Sequence, residues 1–384
     1  MARNRVIYQS EGLYVGKDAS LGGATDHEQL NRVQSANYSF TINRQDVNQF
    51  GDLARIDSLV LDPPTVSLDF SYYLTDGFNE RALGFFVQNS GASSATQRGV
   101  SAGTNTSGNF ASGHLVSSSG VNFFIVTSPN GQDLNKDTPE ALNGSDTSIG
   151  VGNCYISDYS VDLSVGSLPT VNVTVEGANM RSVAGDIATG SPAVNQENGE
   201  ALTSNIELPN PSKNGLIESE GGSITALRPG DVTLDLGNVN GESLVILSGT
   251  DGAHVQSASI SLPLSRSPID RLGSRFPFAR EVDFPVNATM NVSAVVSNSQ
   301  AASLADILNS GVQEATVTVK DHNTTQRDAI QYRMKGLKVD SQSFSSSIGS
   351  NKTVDITFST QIGGPNDQIN GVFMSGAGFQ PVFQ

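Results

Sequence analysis

The protein has 384 residues and a net charge of −16 at pH 7, with 22 basic against 38 acidic residues. This balance argues against a conventional nucleic-acid binder, which needs Lys and Arg to displace counterions from phosphates. The single cysteine, Cys154, excludes an intramolecular disulfide. No apolar run approaches the about 18 residues of a membrane-spanning segment and no secretory signal opens the chain, so no membrane partner is expected.

The N-terminal part of the chain predicts a β-rich domain that contains one helix. A first strand is expected within Val6–Val15. Apolar and polar residues then alternate over Ala36–Ile42 and over Val66–Leu74, as in strands that bury one face. A helix with Phe78, Ala82, Phe85 and Phe86 on one side is expected next.

Long polar stretches separate this helix from the end of the first domain. The segments Ser90–Gly120 and Asn130–Gly150 are rich in Gly, Ser, Thr and Asn, and they predict surface loops. A hairpin that turns near Gly166 follows them. Residues 181–222 contain Ser191-Pro192 and Pro209-Asn210-Pro211, which are typical of a linker or long arm.

The C-terminal part of the chain predicts the same order of elements. A hairpin that turns at Asn240-Gly241 opens it, followed by two alternating strands, an amphipathic helix closed by Gly311, and a hairpin that turns near Gly349. The segments are Val232–Leu236 and Leu244–Leu247 for the first hairpin, Ala258–Leu264 and Ala288–Val296 for the strands, and Ala301–Leu308 for the helix.

These two parts are related by an internal repeat. Val33-Gln34-Ser35-Ala36 recurs as Val255-Gln256-Ser257-Ala258, and the alternating strands stay in frame at the same spacing, here called the strand offset. The final hairpins match at a shorter spacing, here called the hairpin offset, which relates Gly166 to Gly349.

The repeat predicts both a fold and a position for the cysteine. The hairpin offset places Cys154 opposite Leu337 and predicts a core position for it. The expected fold is mainly β, with tandem antiparallel β-sandwich or barrel domains at 1–180 and 223–384, each with one packed helix.

Motifs that would indicate catalysis or metal binding do not fit their surroundings. Gly99-Val100-Ser101-Ala102-Gly103 matches a nucleophile elbow but lies in a predicted loop without the required strand and helix. Asp133–Asp137 resembles the start of a calcium loop but lacks the later Gly and Glu. The four histidines have no ligand spacing. The sequence therefore predicts neither an enzyme nor a cofactor-binding protein.

One further set of segments is informative: Arg5–Val15 followed by Arg32-Val33-Gln34-Ser35, then Val47–Asp57, and then Pro63-Pro64 with the strand after it. These segments resemble the tail structural proteins of bacteriophages. The order of strands, long loop, strand, helix and hairpin is similar to the tail tube fold. The resemblance implies a virion protein that is assembled in the bacterial cytoplasm, whose rings stack into a tube with other tail proteins. DNA would pass through the lumen without specific binding.

The resemblance also implies a stoichiometry and a set of contacts. Tail tube rings are mostly hexamers of one-domain subunits, so a duplicated chain would close a pseudo-sixfold ring as a trimer. The loops Arg44–Asp57 and Arg266–Ala279 are then expected to contact the neighbouring ring, although they could also be ordinary solvated loops. The predicted contact residues are Arg44, Gln45, Asp46, Asn48, Phe50, Asp52, Arg55, Arg266, Asp270, Arg271 and Arg275.

Two other functions remain open at this point. A related tail ring component, such as a terminator, neck or distal-tail protein, could share the fold, and polymer length would distinguish it from a tube protein. A carbohydrate-binding or adhesin β-sandwich would need exposed aromatic platforms, whereas this chain lacks Trp and has 7% aromatic residues.

Overall fold

The computed structural model describes residues 10–20, 23–89, 108–116, 119–129, 132–135, 142, 146–184, 190–196, 198–202, 205–211, 227–228, 232–237, 253–273, 276–296, 313–320, 328–347, 349, 351–365 and 367–376. Strands hold 58% of the structure and helices 6%, which confirms the predicted mainly β class. The predicted helix at Ala301–Leu308, the strand at Leu244–Leu247 and the Gly99–Gly103 motif lie outside the described residues.

Within the described ranges, the first half of the chain contributes eleven strands and two short α-helices. They are β1 (Glu11–Gly16), β2 (His27–Gln29), β3 (Val33–Thr41), β4 (Arg44–Val47), β5 (Asp57–Val60), β6 (Thr65–Tyr73), α1 (Phe78–Leu83), β7 (Val87–Asn89), α2 (Ser112–Val116), β8 (Val121–Thr127), β9 (Thr147–Ser164), β10 (Thr170–Gly177) and β11 (Asn179–Ala184).

The regular elements in the described part of the second half are strands. They are β12 (Val232–Gly237), β13 (Ala253–Pro263), β14 (Arg266–Ile269), β15 (Ala279–Val282), β16 (Val286–Val296), β17 (Gln313–Lys320), β18 (Asp328–Ser345), β19 (Thr353–Ile362) and β20 (Gly371–Gly376). Of the hairpin predicted at the start of this half, β12 is the strand that lies within the described residues.

An antiparallel central sheet runs through both halves in the order β3-β6-β10-β9-β13-β16-β19-β18. The 18-residue strands β9 and β18 are long enough to join a second layer as well. The N-terminal part of β9 pairs with β8 and β11, and that of β18 pairs with β17 and β20. Each half is thus a two-layered sandwich whose layers share one long strand.

Period-2 alternation fills the space between the layers. In β6 the buried residues are Val66, Leu68, Phe70 and Tyr72, while the residues between them point away from the core. Strand β19 repeats the pattern with Val354, Ile356 and Phe358. Cys154 and Leu337 are both buried, as their matched positions predict.

The two halves also interlock outside the central sheet. Strand β7 of the first half pairs in parallel with β20 of the second half. The amide of Phe110 donates to the carbonyl of Val372 at 2.7 Å, and the Phe110 ring lies edge-on to Tyr332 of β18 at a centroid distance of 6.3 Å. The halves therefore share one hydrophobic core.

Backbone irregularities recur at the offsets found in the sequence. The β3–β6 pairing shifts register between Val33 and Ser35, and the β13–β16 pairing does so between Val255 and Ser257. Positive φ angles also occur in matched glycines, at Gly51 and Gly273 and at Gly166 and Gly349. The halves therefore have the same local geometry at positions that the repeat relates.

Several loop predictions need correction. The two loops before β6 and β16 form two-stranded ribbons, β4–β5 and β14–β15. Within Ser90–Gly120, the described residues Phe110 and Ala111 are buried. This part of the predicted loop therefore belongs to the core between the halves. Within Asn130–Gly150, Leu134 is buried and the last residues already belong to β9.

The helix and the arm also differ from the sequence expectation. Helix α1 ends at Leu83, because Gly84 takes a left-handed φ of 100° and caps it, so Phe85 and Phe86 follow the helix. Strand β11 continues into the predicted linker as far as Ala184. Beyond it, the amide of Val194 donates to Asn153 Oδ1 at 2.7 Å, so this part of the arm packs on the first half.

Truncation of Leu262 will show how much the shared sheet stabilises the chain. Leu262 is fully buried on β13, whereas Leu272 is fully exposed at the end of the β14–β15 ribbon. We expect Leu262→Ala to lower the free energy of unfolding by about 2–5 kcal/mol, since it leaves a cavity. Leu272→Ala should change it by less than about 0.5 kcal/mol in the same urea titration. Equal effects would contradict the described packing.

Candidate assembly surfaces

The joint between β9 and β13 connects the halves within the central sheet. Its antiparallel register pairs Ile260 with Val161 and Leu262 with Tyr159. The ladder continues at both ends, where the Val165 amide donates to the Gln256 carbonyl at 2.9 Å and the Leu264 amide donates to the Ser157 carbonyl at 2.8 Å. The inward-facing side chains Ile260, Leu262, Leu264, Val161 and Leu163 are all buried.

The two outermost strands of the same sheet have open edges. In the part of the chain that the structure describes, β3 pairs only with β6, and residues Lys338–Ser345 of β18 pair only with β19. The strand offset relates β3 to β13, and the hairpin offset relates this part of β18 to β9. The open edges therefore correspond to the two sides of the β9–β13 joint. Their unpaired backbone groups are a template for another strand.

Apolar side chains are exposed along these edges. Tyr38 is 36% and Phe40 is 56% exposed on β3, and Phe344 is 43% exposed on β18. Their counterparts in the joint, Ile260, Leu262 and Val161, are buried. The sequence alternation predicts a buried face for Tyr38, Phe40 and Ile42, and that prediction is wrong for a single chain, because no neighbouring strand among the described residues covers β3.

One face of the central sheet is polar along its whole width. The alternate residues that point away from the core are almost all Ser, Thr, Asn, Gln or acidic. They include Asp69, Asp158, Asp162 and Asp355, against Lys338 and His254 as basic residues among the described strand positions of this face, while Glu176 is paired with Arg280. Asn172 Nδ2 donates to Asp162 Oδ2 at 3.1 Å, and burial raises the pKa of Asp158. This face therefore has a negative character.

The β14–β15 ribbon is anchored to the first half. Arg266 Nη2 donates to the carbonyl oxygen of His114, and Arg280 Nη1 lies 3.3 Å from Glu176 Oε2. The guanidinium groups of both arginines lie over the Tyr155 ring, at 4.7 Å and 5.9 Å from its centroid. These contacts join residues of the second half to residues of the first, so the ribbon holds the two halves together beside the joint.

The β4–β5 ribbon has a different surface. All residues from Arg44 to Val47 are exposed, and Arg55 Nη1 bonds to Asp46 Oδ1 at 2.9 Å within the ribbon. Its end carries Phe50 and Leu53, which are fully exposed, together with the exposed Ile56 and Leu59. An apolar surface of this kind on a polar protein is typical of a contact site.

The predicted contact residues are divided between these two ribbons. Arg44, Gln45, Asp46, Asn48, Phe50, Asp52 and Arg55 lie on the exposed first ribbon, and Asp270 and Arg271 lie at the exposed end of the second. Arg266 instead belongs to the anchor at the base of the second ribbon, and Arg275 lies outside the described residues. The Arg271 guanidinium lies over the Phe278 ring at 5.6 Å.

Sequence reasoning missed Tyr155 and Glu176, which receive the anchored ribbon. These residues are far from Arg266 and Arg280 in the sequence, and no local pattern connects such distant residues.

Two features that suggested chemistry in the sequence, the start of the Asp133 segment and Cys154, lie within the described residues. No group of three or more His, Cys, Asp and Glu side chains among them could hold a metal ion. In the Asp133 segment, Leu134 is buried and Asn135 Oδ1 accepts a hydrogen bond from Gln29 Nε2 at 2.6 Å. The Cys154 thiol is enclosed, and burial raises its pKa, so it is not poised as a nucleophile.

No family model matches the sequence, and the comparison with curated proteins finds no match either. Among the described helices, none is both long enough and apolar enough to cross a membrane. The features of the described chain that indicate a function are therefore the two open sheet edges, the polar face and the exposed ribbon.

Proposed function

We propose that this protein is a structural virion subunit that assembles itself into stacked rings, which form the tail tube of a bacteriophage. The observation that carries this proposal is that the open edges of β3 and β18 correspond to the two sides of the β9–β13 joint. A chain that contains one such joint and exposes both of its sides can repeat the joint with another copy.

The joint within the chain specifies the register of the joint between chains. When the strand offset is applied to β13 and the hairpin offset to β9, the Ile260–Val161 pair becomes Tyr38 of one copy opposite Phe344 of the next. The Ser261–Ser160 pair becomes Ser39 opposite Ser343. This register buries the apolar side chains that are exposed along both edges, which favours association.

The two edges differ from each other, so the contact is heterologous. Repetition of a heterologous contact closes a ring when the rotation between copies closes, and otherwise produces an open filament. The resemblance to tail tube proteins favours a closed ring of six halves, which three chains supply. The polar face would then line the lumen, where acidic and hydroxyl groups offer no binding site to a polyanion.

The exposed β4–β5 ribbon supports stacking as the second contact. Its end carries apolar residues that no described part of the chain covers, and it lies outside the central sheet. Contact with another ring would remove Phe50 and Leu53 from water. A terminator, neck or distal-tail ring would use the same edges, and the number of stacked rings separates these functions from a tube.

Electron microscopy of the purified protein tests assembly directly. We expect hollow tubes or stacked rings with six lobes from three chains, and we expect Phe40→Asp to abolish them, because a carboxylate would enter the buried side of the joint. The control Ile369→Asp alters an exposed side chain that belongs to neither β3 nor β18 and should still assemble. Wild-type particles that stay single across protein and salt concentrations would contradict self-assembly.

Cysteine cross-linking tests the register. We expect Ser39→Cys with Ser343→Cys to form a disulfide between chains under mild oxidation, because directly opposed residues in antiparallel strands have the spacing that a disulfide needs. The matched control is Ser35→Cys with Ser343→Cys, which lies on the same face but out of register. Equal cross-linking of both pairs on denaturing gels would exclude the proposed register.

Removal of the exposed ribbon tests stacking separately from ring formation. We expect deletion of Gln45–Leu53 to leave a folded chain that forms rings but no long tubes, because the ring-to-ring contact is lost. Phe50→Ser with Leu53→Ser should shorten the tubes without changing the far-ultraviolet circular dichroism spectrum. Long tubes from the deletion variant would show that the ribbon does not mediate stacking.

A further inference from the structure

A fully buried carboxyl group lies where the two halves meet. Glu80, on α1 of the first half, accepts a hydrogen bond at Oε1 from the Tyr72 hydroxyl at 2.9 Å. The same oxygen accepts a second hydrogen bond from the Tyr159 hydroxyl at 3.3 Å. The hydroxyls of Tyr159 and Tyr332 lie 2.9 Å apart, and Tyr332 belongs to β18 of the second half. The carboxyl group is thus connected to both halves.

The hydrogen bonds in this cluster have a defined direction. A tyrosine hydroxyl has one proton to donate, and that of Tyr159 goes to Glu80. Tyr332 must therefore donate to Tyr159. The rings of Phe85 and Phe110 pack on Tyr159 at centroid distances of 4.8 Å and 5.1 Å. The polar chain from Tyr332 to Glu80 is consequently enclosed by aromatic rings.

Burial and the nearby Asp76 carboxylate disfavour a negative charge on Glu80, while the hydrogen bonds that it accepts favour one. The ionisable groups that face it are Tyr72 on β6, Tyr159 on β9, Tyr332 on β18 and Asp76 just before α1. Arg81, the next residue, directs Nη2 toward Glu28 Oε1 of β2 at 3.7 Å. Glu80 Oε2 is buried without a hydrogen-bond partner in the described structure. A carboxylate here would leave one oxygen charged and unsolvated.

We propose that Glu80 is a protonation-dependent latch between the two halves of the chain. As a neutral acid it still accepts the hydrogen bonds of Tyr72 and Tyr159 at Oε1 but buries no charge, and the halves stay closely packed. As a carboxylate it places an uncompensated charge among aromatic rings, which favours separation at β7–β20 and admits water. This latch depends on contacts within one chain and goes beyond the function in assembly.

The pKa of Glu80 sets the pH range of the latch. Burial raises this pKa from 4.5 to about 7, and the neighbouring Asp76 carboxylate also raises it. The hydrogen bonds that the Glu80 carboxyl group accepts lower the pKa and offset part of this increase. At a pH between these two pKa values, Glu80 is protonated in the folded chain and ionised in the unfolded chain. The stabilisation is therefore complete below pH 4.5, is lost as pH rises toward about 7, and stays lost above it.

Unfolding titrations in urea across this pH range test the latch. Relative to Glu80→Gln, which stays neutral, the wild-type unfolding equilibrium constant should rise by up to about tenfold per pH unit within the range. The matched control Glu11→Gln removes an exposed carboxyl group and should keep the wild-type slope. The titrations are made at concentrations where light scattering shows single chains. A Glu80→Gln profile parallel to the wild type would overturn the proposal.

Two further measurements separate a latch from a merely structural role. The infrared band of a neutral carboxylic acid should disappear from the folded wild-type protein with a midpoint near pH 7, and a midpoint near 4.5 would overturn the proposal. Because burial also raises the pKa of Asp76 and Asp158, the band is assigned to Glu80 by its absence from Glu80→Gln. Amide hydrogen exchange at β7 and β20, corrected for its intrinsic pH dependence, should accelerate between about pH 6 and about pH 8. Unchanged protection there would exclude separation of the halves.

Discussion

Hydrogen bonding between strand edges is the constraint on which the rest of this structure depends. A backbone amide or carbonyl group that is removed from water needs a partner, and a sheet supplies one only where another strand lies alongside. Within the chain, β13 supplies hydrogen-bond partners to the backbone of β9, and β7 supplies them to that of β20. The central sheet nevertheless ends in β3 and β18, so the described chain contains one completed joint and the two separate sides of another.

The sequence predicts the strands and their turns well, since both depend on local chemistry. Period-2 alternation identifies β6, β16 and β19, and matched glycines identify the tight turns at Gly166 and Gly349. Alternation cannot show whether a strand is central or at an edge, because Phe40 and Leu262 have the same local pattern. Their different exposure follows from the position of each strand in the sheet.

The candidate surfaces are less predictable because they involve residues distant in sequence. Composition favours a loop over Ser90–Gly120, yet Phe110 packs between the halves. The anchor of the β14–β15 ribbon joins Arg266 and Arg280 to Tyr155, a contact that only the folded chain creates. The matched ribbon has Arg44 and Ser58 at the corresponding positions, so it lacks the second arginine of this anchor.

The β9–β13 joint has a kinetic consequence for ring closure. Covalent linkage gives its two sides a high effective concentration, so this contact forms during folding of one chain and needs no encounter. If three chains close a ring of six halves, half of the joints exist before any chains meet. Ring nucleation would then follow a lower reaction order in protein than six separate one-domain subunits would require, and closed rings could form at lower expression levels.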